Sequence, residues 1–320
     1  MTLYVQDIGA SNAHSQAETL ASKSGLSVTW EKADVSNFFD TLKRLYSDEN
    51  LLTVLSELVR QGHFVALDVS EAANRHVLKS AFVAFKSMQI LYRLFGSFAS
   101  VDTTYGKNDL QLPITFFAGT TNENVVVPFG IGILRSETKE SFKWLLKSFC
   151  SCYKGLPNVL MIDGDLKMRE AILDVRQEQG ASVSIVLCAW HLFNDLEKQL
   201  LKKDPRTNVM ELKGAFYKVR GAATHELFSS EWSAFVDKFG KNEKARHYLM
   251  GTVFPLRELW AQAWTGSVFR AGFLATSISE SLHSLFASGR SAFNSLVDVL
   301  VLADRVVLRQ CDRSLKRSAE

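Results

Sequence analysis

Between positions 35 and 60 the apolar residues fall on two helical stripes: Phe38, Phe39, Leu42 and Leu45, then Leu51, Leu52, Leu55, Leu58 and Val59. Apolar side chains every three to four positions line one face of a helix, so two helices are predicted, broken near Ser47-Asp48-Glu49-Asn50. The run His63 to Val69 is short and apolar and reads as a strand, with a helix expected over residues 75 to 90. Residues 1 to 35 are mixed and polar and show no period.

After position 96 the pattern shortens. Ser97 to Tyr105, Leu112 to Gly119 and Asn124 to Leu134 read as strands, joined by the polar turns Gly106 to Asp109 and Thr120 to Glu123. Turns this short predict an antiparallel meander. Ser136 then reads as a helix N-cap, with Glu137 and Glu140 in the first turn and Phe142, Leu145, Leu146 and Phe149 on one face. Asn158 to Ile162 is a largely apolar strand of the kind buried on both faces, ending at Asp163-Gly164-Asp165. A helix carrying Met168, Ile172 and Val175 leads to a fifth strand, Ser182 to Leu187, which stops at Cys188-Ala189-Trp190-His191. From there the pattern is helical to the C-terminus. Three hairpin strands followed by two that alternate with helices predict an α/β fold. Its mixed five-stranded sheet, with helices on both faces, has the ribonuclease H-like arrangement.

Composition narrows the class. The chain has 320 residues, 47% hydrophobic and 22% charged, enough to bury a large core. The longest apolar runs, such as Ser184 to Trp190, are far too short to span a bilayer, so a soluble intracellular protein without a membrane partner is expected. Cysteines at 150, 152, 188 and 311 are too few and too unevenly spaced for a secreted disulfide framework. The net charge of +3 is modest, but Leu192 to Ala275 holds 13 Lys and Arg against 9 Asp and Glu, so the basicity belongs to one region. Solvated helix faces and a nucleic-acid surface both fit that distribution.

One acid is out of place. Asp102 interrupts Ala99-Ser100-Val101 and Thr103-Thr104-Tyr105, residues that favour strands as aspartate does not. Its alternatives are an acid in a turn or a ligand. In the predicted arrangement Asp102 lies on the central strand and Asp163 at the end of the fourth, side by side where α/β sheets bind ligands. Two carboxylates there repel unless a cation compensates them, and Mg2+ takes oxygen ligands while keeping open positions. Asp165 is the rival to Asp163, one of the two binding and the other capping the following helix.

Val101-Asp102-Thr103-Thr104-Tyr105 with Lys107-Asn108 and Leu112-Pro113, then Ile162-Asp163-Gly164, then Leu187-Cys188-Ala189-Trp190-His191-Leu192, and finally Ala275 to Ser281 occur in this order. Together they resemble the transposase domain of Mutator-like DNA transposons, a group that includes plant transcription regulators domesticated from such elements. The resemblance covers roughly residues 60 to 310. It implies a DDE-type site of Asp102, Asp163 and Glu280 holding Mg2+ (or Mn2+), and metal-dependent DNA strand cleavage and strand transfer. It also implies terminal inverted repeats and target DNA as partners, a possible homo-oligomer, and a nuclear location. The organisation expected is an N-terminal segment 1–96, a core 97–192, a helical insertion 193–272 and closing helices 273–320.

Glu280 lies opposite Ile278, Leu282 and Leu285 on its helix, where a solvated glutamate would also lie. Cys188 and His191 have the spacing of half a zinc site, with Cys150 and Cys152 as the candidate other half. A structural place near the site is the alternative for the pair, with His191 orienting a carboxylate or touching DNA. Within the basic region Lys198, Lys202, Lys203 and Arg206 are the expected phosphate contacts. The alternatives to a transposase are a domesticated, catalytically silent DNA-binding regulator, a truncated transposon fragment, or a nuclease on the same fold.

Overall fold

Two strands show why a sheet forms here. Ile114–Thr120 (β5) and Val126–Leu134 (β6) are continuous apolar runs in which every residue is buried, so both faces of the sheet are covered at its centre. The structure is a computed structural model that describes residues 2–4, 58–72, 75–104, 112–122 and 124–268. The other strands are Thr2–Tyr4 (β1), Phe64–Ala72 (β2), Arg75–Ala84 (β3), Phe98–Thr104 (β4), Val159–Ile162 (β7) and Ser184–Leu187 (β8). Their order is β1-β2-β3-β6-β5-β4-β7-β8. β4 pairs antiparallel with β5 and parallel with β7, and β7 parallel with β8. The result is a mixed α/β protein.

Among the described residues the sheet has eight strands, where five were expected. Part of the excess lies in residues 75 to 90, predicted as a helix. They form β3, with Lys86–Phe95 (α1) following it. Ser80 to Ala84 are all buried, because β3 pairs with β2 on one side and β6 on the other. A strand buried on both faces shows no alternation, and its apolar run imitates a buried helix. β6 carries Pro128 where the register to β5 shifts, a place where the missing N–H of proline costs no ladder bond. Phe129, next to it, gives its carbonyl to the Tyr153 hydroxyl.

Lys139–Tyr153 (α2) covers one face of the sheet. Its Phe149 ring stacks on Phe117 at 4.5 Å and meets Phe82 edge-on at 6.1 Å. Tyr92 of α1 lies 5.2 Å from both Phe129 and Phe149, so α1 shares that face. Thr138 caps α2 in place of the predicted Ser136, accepting the Ser141 N–H at 3.1 Å. Leu166–Gln179 (α3) runs beside α2. Lys139, Lys143 and Lys147 of α2 meet Glu170, Asp174 and Glu178 of α3 at 2.6 to 3.8 Å.

From Ala189 to Thr265 the chain is almost entirely helical. Ala189–Lys203 (α4), Val209–Arg220 (α5), His225–Phe239 (α6) and Glu243–Tyr248 (α7) lead through a π-turn and a 3-10 turn to Arg257–Trp260 (α8) and Gln262–Thr265 (α9). Asn208, Thr224 and Asn242 start α5, α6 and α7 with their side-chain oxygens. Phe216 and Phe228 each lie 5.7 Å from Trp260 in an aromatic core of this region's own.

A carboxylate pair and a histidine at the strand ends

The register of three parallel strands places the site. Val101 of β4 is level with Ile162 of β7, and Ile162 with Leu187 of β8. One step further along each strand stand Asp102, Asp163 and Cys188. Asp102 is within β4, paired with Phe116, and only 6% exposed, so it is not a turn acid. Its neighbour Val101 pairs with Phe117, whose ring lies under α2. Successive strand residues point to opposite faces, so Asp102 lies on the face away from α2.

Asp163 ends β7 and is held by the loop it opens, its Oδ1 accepting the Asp165 N–H at 3.0 Å. Asp165 in turn caps α3, accepting the Met168 N–H at 2.8 Å. The two acids that compete in the sequence therefore have separate tasks. Cys188 donates its backbone N–H to the Ile162 carbonyl at 2.7 Å and starts α4. One turn into α4, His191 reaches back across the strand ends, and its Nε2 stands 3.8 Å from Asp102 Oδ1. The Trp190 ring meets the imidazole edge-on at 4.8 Å.

The charges are coupled. Burial first, then the charges of Asp102 and Asp165, raise the Asp163 carboxyl above its usual range, against the Asp165 amide and His191, which pull it down. Burial pulls the His191 imidazole down, but Cys188, Asp102 and Asp163 together push it up to about 9. Burial pushes the Cys188 thiol up, and the adjacent imidazole and the amides of His191 and Trp190 bring it below its ordinary value. The strand ends thus bring two carboxyl groups and an imidazole into one cluster.

The donor set fits a divalent cation in part. Asp102 and Asp163 offer adjacent oxygens of the hard type Mg2+ takes. Among the described residues, no group of three or more His, Cys, Asp and Glu side chains could hold a metal ion. Glu280 lies outside the described residues. Cys150 and Cys152 lie on α2 as free thiols pushed up to about 11 and about 12, chiefly by burial. They sit across the sheet from Asp102, and the zinc reading gains nothing from them.

Lys198, Lys202, Lys203 and Arg206 gather at the far end of α4. Lys198 stands 3.9 Å from Asp195, and Arg206 pairs with Asp204 at 3.1 Å. Lys203 bonds the Gln199 side chain at 3.1 Å and lies over the Tyr248 ring, while Lys202 is exposed. The closeness of His191 to Asp102 was foreshadowed only by the C-x-x-H spacing, which gives no hint of which carboxylate it meets.

A mixed sheet with two acids at the ends of adjacent parallel strands defines an α/β domain. Residues 98–195 match the family model of the MULE transposase domain, and this stretch is such a domain. FAR1-RELATED SEQUENCE 11 of Arabidopsis thaliana is 25% identical over 264 residues, 81% of this chain and 37% of its own length. FAR1-RELATED SEQUENCE 4 of the same plant is 26% identical over 258 residues, 78% of this chain and 34% of its own. FAR-RED IMPAIRED RESPONSE 1, also from that plant, is 25% identical over 80% of this chain and 30% of its own length. The chain spans about a third of the length of these curated relatives.

Proposed function

We propose that this chain is the core of a transposase-derived regulator that binds DNA in the nucleus and whose cleavage chemistry is silent. One observation carries the reading: the likeness to FAR1-related proteins runs over about four fifths of the chain, well beyond the MULE domain at 98–195. Those names mark a family and a far-red response, and the Mutator-like group includes domesticated plant regulators. The His191 contact supports the same conclusion. His191 Nε2 stands 3.8 Å from Asp102 Oδ1, a contact within the protein that becomes an ion pair when the ring is protonated.

In this reading the five strands β6-β5-β4-β7-β8 are the ribonuclease H-like sheet, their order matching meander then crossover. The helices after Phe193 are the insertion ahead of Glu280. β1, β2 and β3 extend the sheet on its meander side.

A working DDE transposase is the second reading, favoured by the level placement of Asp102 and Asp163 on paired strands. There Asp102, Asp163 and Glu280 would hold Mg2+ (or Mn2+), which when bound would polarise a phosphate and activate water. The protein's own part is orientation, the Asp165 amide fixing Asp163 and His191 fixing Asp102.

The test is a pair of assays on one preparation, duplex DNA binding and Mg2+-dependent nicking of supercoiled DNA. Binding without nicking is expected. Nicking that disappears in Asp102→Asn would replace the regulator by the transposase.

A further inference from the structure

Two segments 39 residues apart meet at the far end of α4, where Asn242 Nδ2 donates to the Lys203 carbonyl at 3.2 Å. Lys203 Nζ lies 5.1 Å over the Tyr248 ring and closes the same junction. Around it Lys202, Lys241 and Lys244 are exposed, and among the described residues none of the three forms an ion pair. The carboxylates at hand are mostly engaged: Asp204 with Arg206 at 3.1 Å, Asp195 with Lys198 at 3.9 Å, and Asp237 with Arg246 at 4.0 Å. Glu243, in the first turn of α7, offsets one of the charges.

A solvated helix face pairs its own charges at i,i+4. Here Lys202 from one segment and Lys241 and Lys244 from the other are exposed and among the described residues form no ion pair, with Lys241 near enough for its charge to act on Asp204. Compact ammonium groups without carboxylate partners suit phosphates. A single-strand site would add exposed rings on which bases stack, whereas the ring at this junction, Tyr248, lies under Lys203. The patch offers charge without a stacking platform, as a duplex backbone requires.

The helix also sets a distance. α4 carries His191 in its first turn and Lys203 at its end. Those twelve residues at 1.5 Å each span about 18 Å, about half of the roughly 34 Å turn of B-form DNA.

From this the geometry points to a duplex anchor: Lys202, Lys241 and Lys244 grip the phosphate backbone about half a helical turn from the Asp102–Asp163 end. Lys241 and Lys244 extend a patch of which the sequence indicated only the α4 side. This anchor rests on the DNA-binding reading above and gives that binding a surface.

Fluorescence anisotropy of the whole chain with a labelled random duplex of about two helical turns tests it, across about 50 to 200 mM salt. Wild type is compared with the triple variant Lys202→Ala, Lys241→Ala, Lys244→Ala. The control is Lys147→Ala, Lys213→Ala, Lys218→Ala, of equal charge change on other helices. The anchor variant is expected to bind at least about tenfold more weakly, with a log–log salt slope shallower by about 0.9 for each lost contact. The control variant should stay within about twofold of wild type, and circular dichroism should show all three equally folded. Unchanged affinity and slope in the anchor variant, with wild type binding DNA, overturn the anchor and leave the DNA-binding reading standing. No binding by wild type overturns both. Tighter binding of duplex RNA of the same length overturns the choice of DNA.

Discussion

His191 Nε2 stands 3.8 Å from Asp102 Oδ1, an imidazole from the start of α4 laid over a carboxylate on β4. Neither residue is near the other in sequence; adjacent parallel strands bring them together. His191→Gln removes the positive charge from a site with two carboxylates, and an unfolding free energy lower by about 1–3 kcal/mol is expected. Adding Asp102→Asn should recover part of that loss, because one of the repelling charges goes with it. Urea unfolding of the two single variants and the double gives the coupling; strict additivity would show that the two side chains do not interact.

His63 provides a pH test away from the site. Its Nδ1 accepts the Lys86 N–H at 3.0 Å at the start of α1, so only the neutral ring can cap that helix. Burial, then the nearby Lys86 charge, lower the imidazole from 6.5 to about 4. The unfolded chain therefore binds a proton that the folded chain refuses between those values. The stabilisation is complete above about pH 6.5 and is lost as pH falls toward about 4. Thermal melts of wild type should decline across that window, and those of His63→Asn, which caps without titrating, should decline less.

Gly132 lets α2 lie against the sheet. A Cβ at that position would fall 2.4 Å from Leu145 Cδ1, so any larger residue pushes the helix or its side chain away. Gly132→Val should cost about 1–3 kcal/mol, as overpacking does. Leu145→Ala made on top of it should cost less than Leu145→Ala alone. If the two losses simply add in denaturant melts, the close approach is not what keeps position 132 small.

The lysine ladder of α2 and the acid ladder of α3 should behave as one salt-dependent unit. Lys143 bridges Asp174 at 3.4 Å and Glu178 at 2.6 Å, so Lys143→Glu places like charges together, and Glu178→Lys made with it should recover only part of the melting temperature, because Lys147 also pairs with Glu178 at 2.7 Å. At about 1 M salt the Debye length is near 3 Å, and the penalty of the single reversal should shrink markedly. A penalty independent of salt would point to lost packing of the lysine stem instead.

The order of elements from residue 97 to 203 was legible in the chain, because strands and helices there differ in length, period and turn residues. The strand end at Asp163 could be read because a carboxylate there breaks an apolar run. The strand over residues 75 to 84 is misread as a helix, since its end at Ser80 to Ala84, buried between two others, shows no alternation. The acid in β4 stood out in the sequence, as did the C-x-x-H spacing. What the sequence could not supply was the level alignment of Asp102, Asp163 and Cys188 or the reach of His191 over them, because register between strands distant in sequence is decided by packing and pairing. The basic patch divides in the same way. Composition located an excess of cations after Leu192, but only the docking of Asn242 on Lys203 brought the segment of Lys241 and Lys244 to the end of α4. Local chemistry was written along the chain, and the tertiary fold alone chose its neighbours.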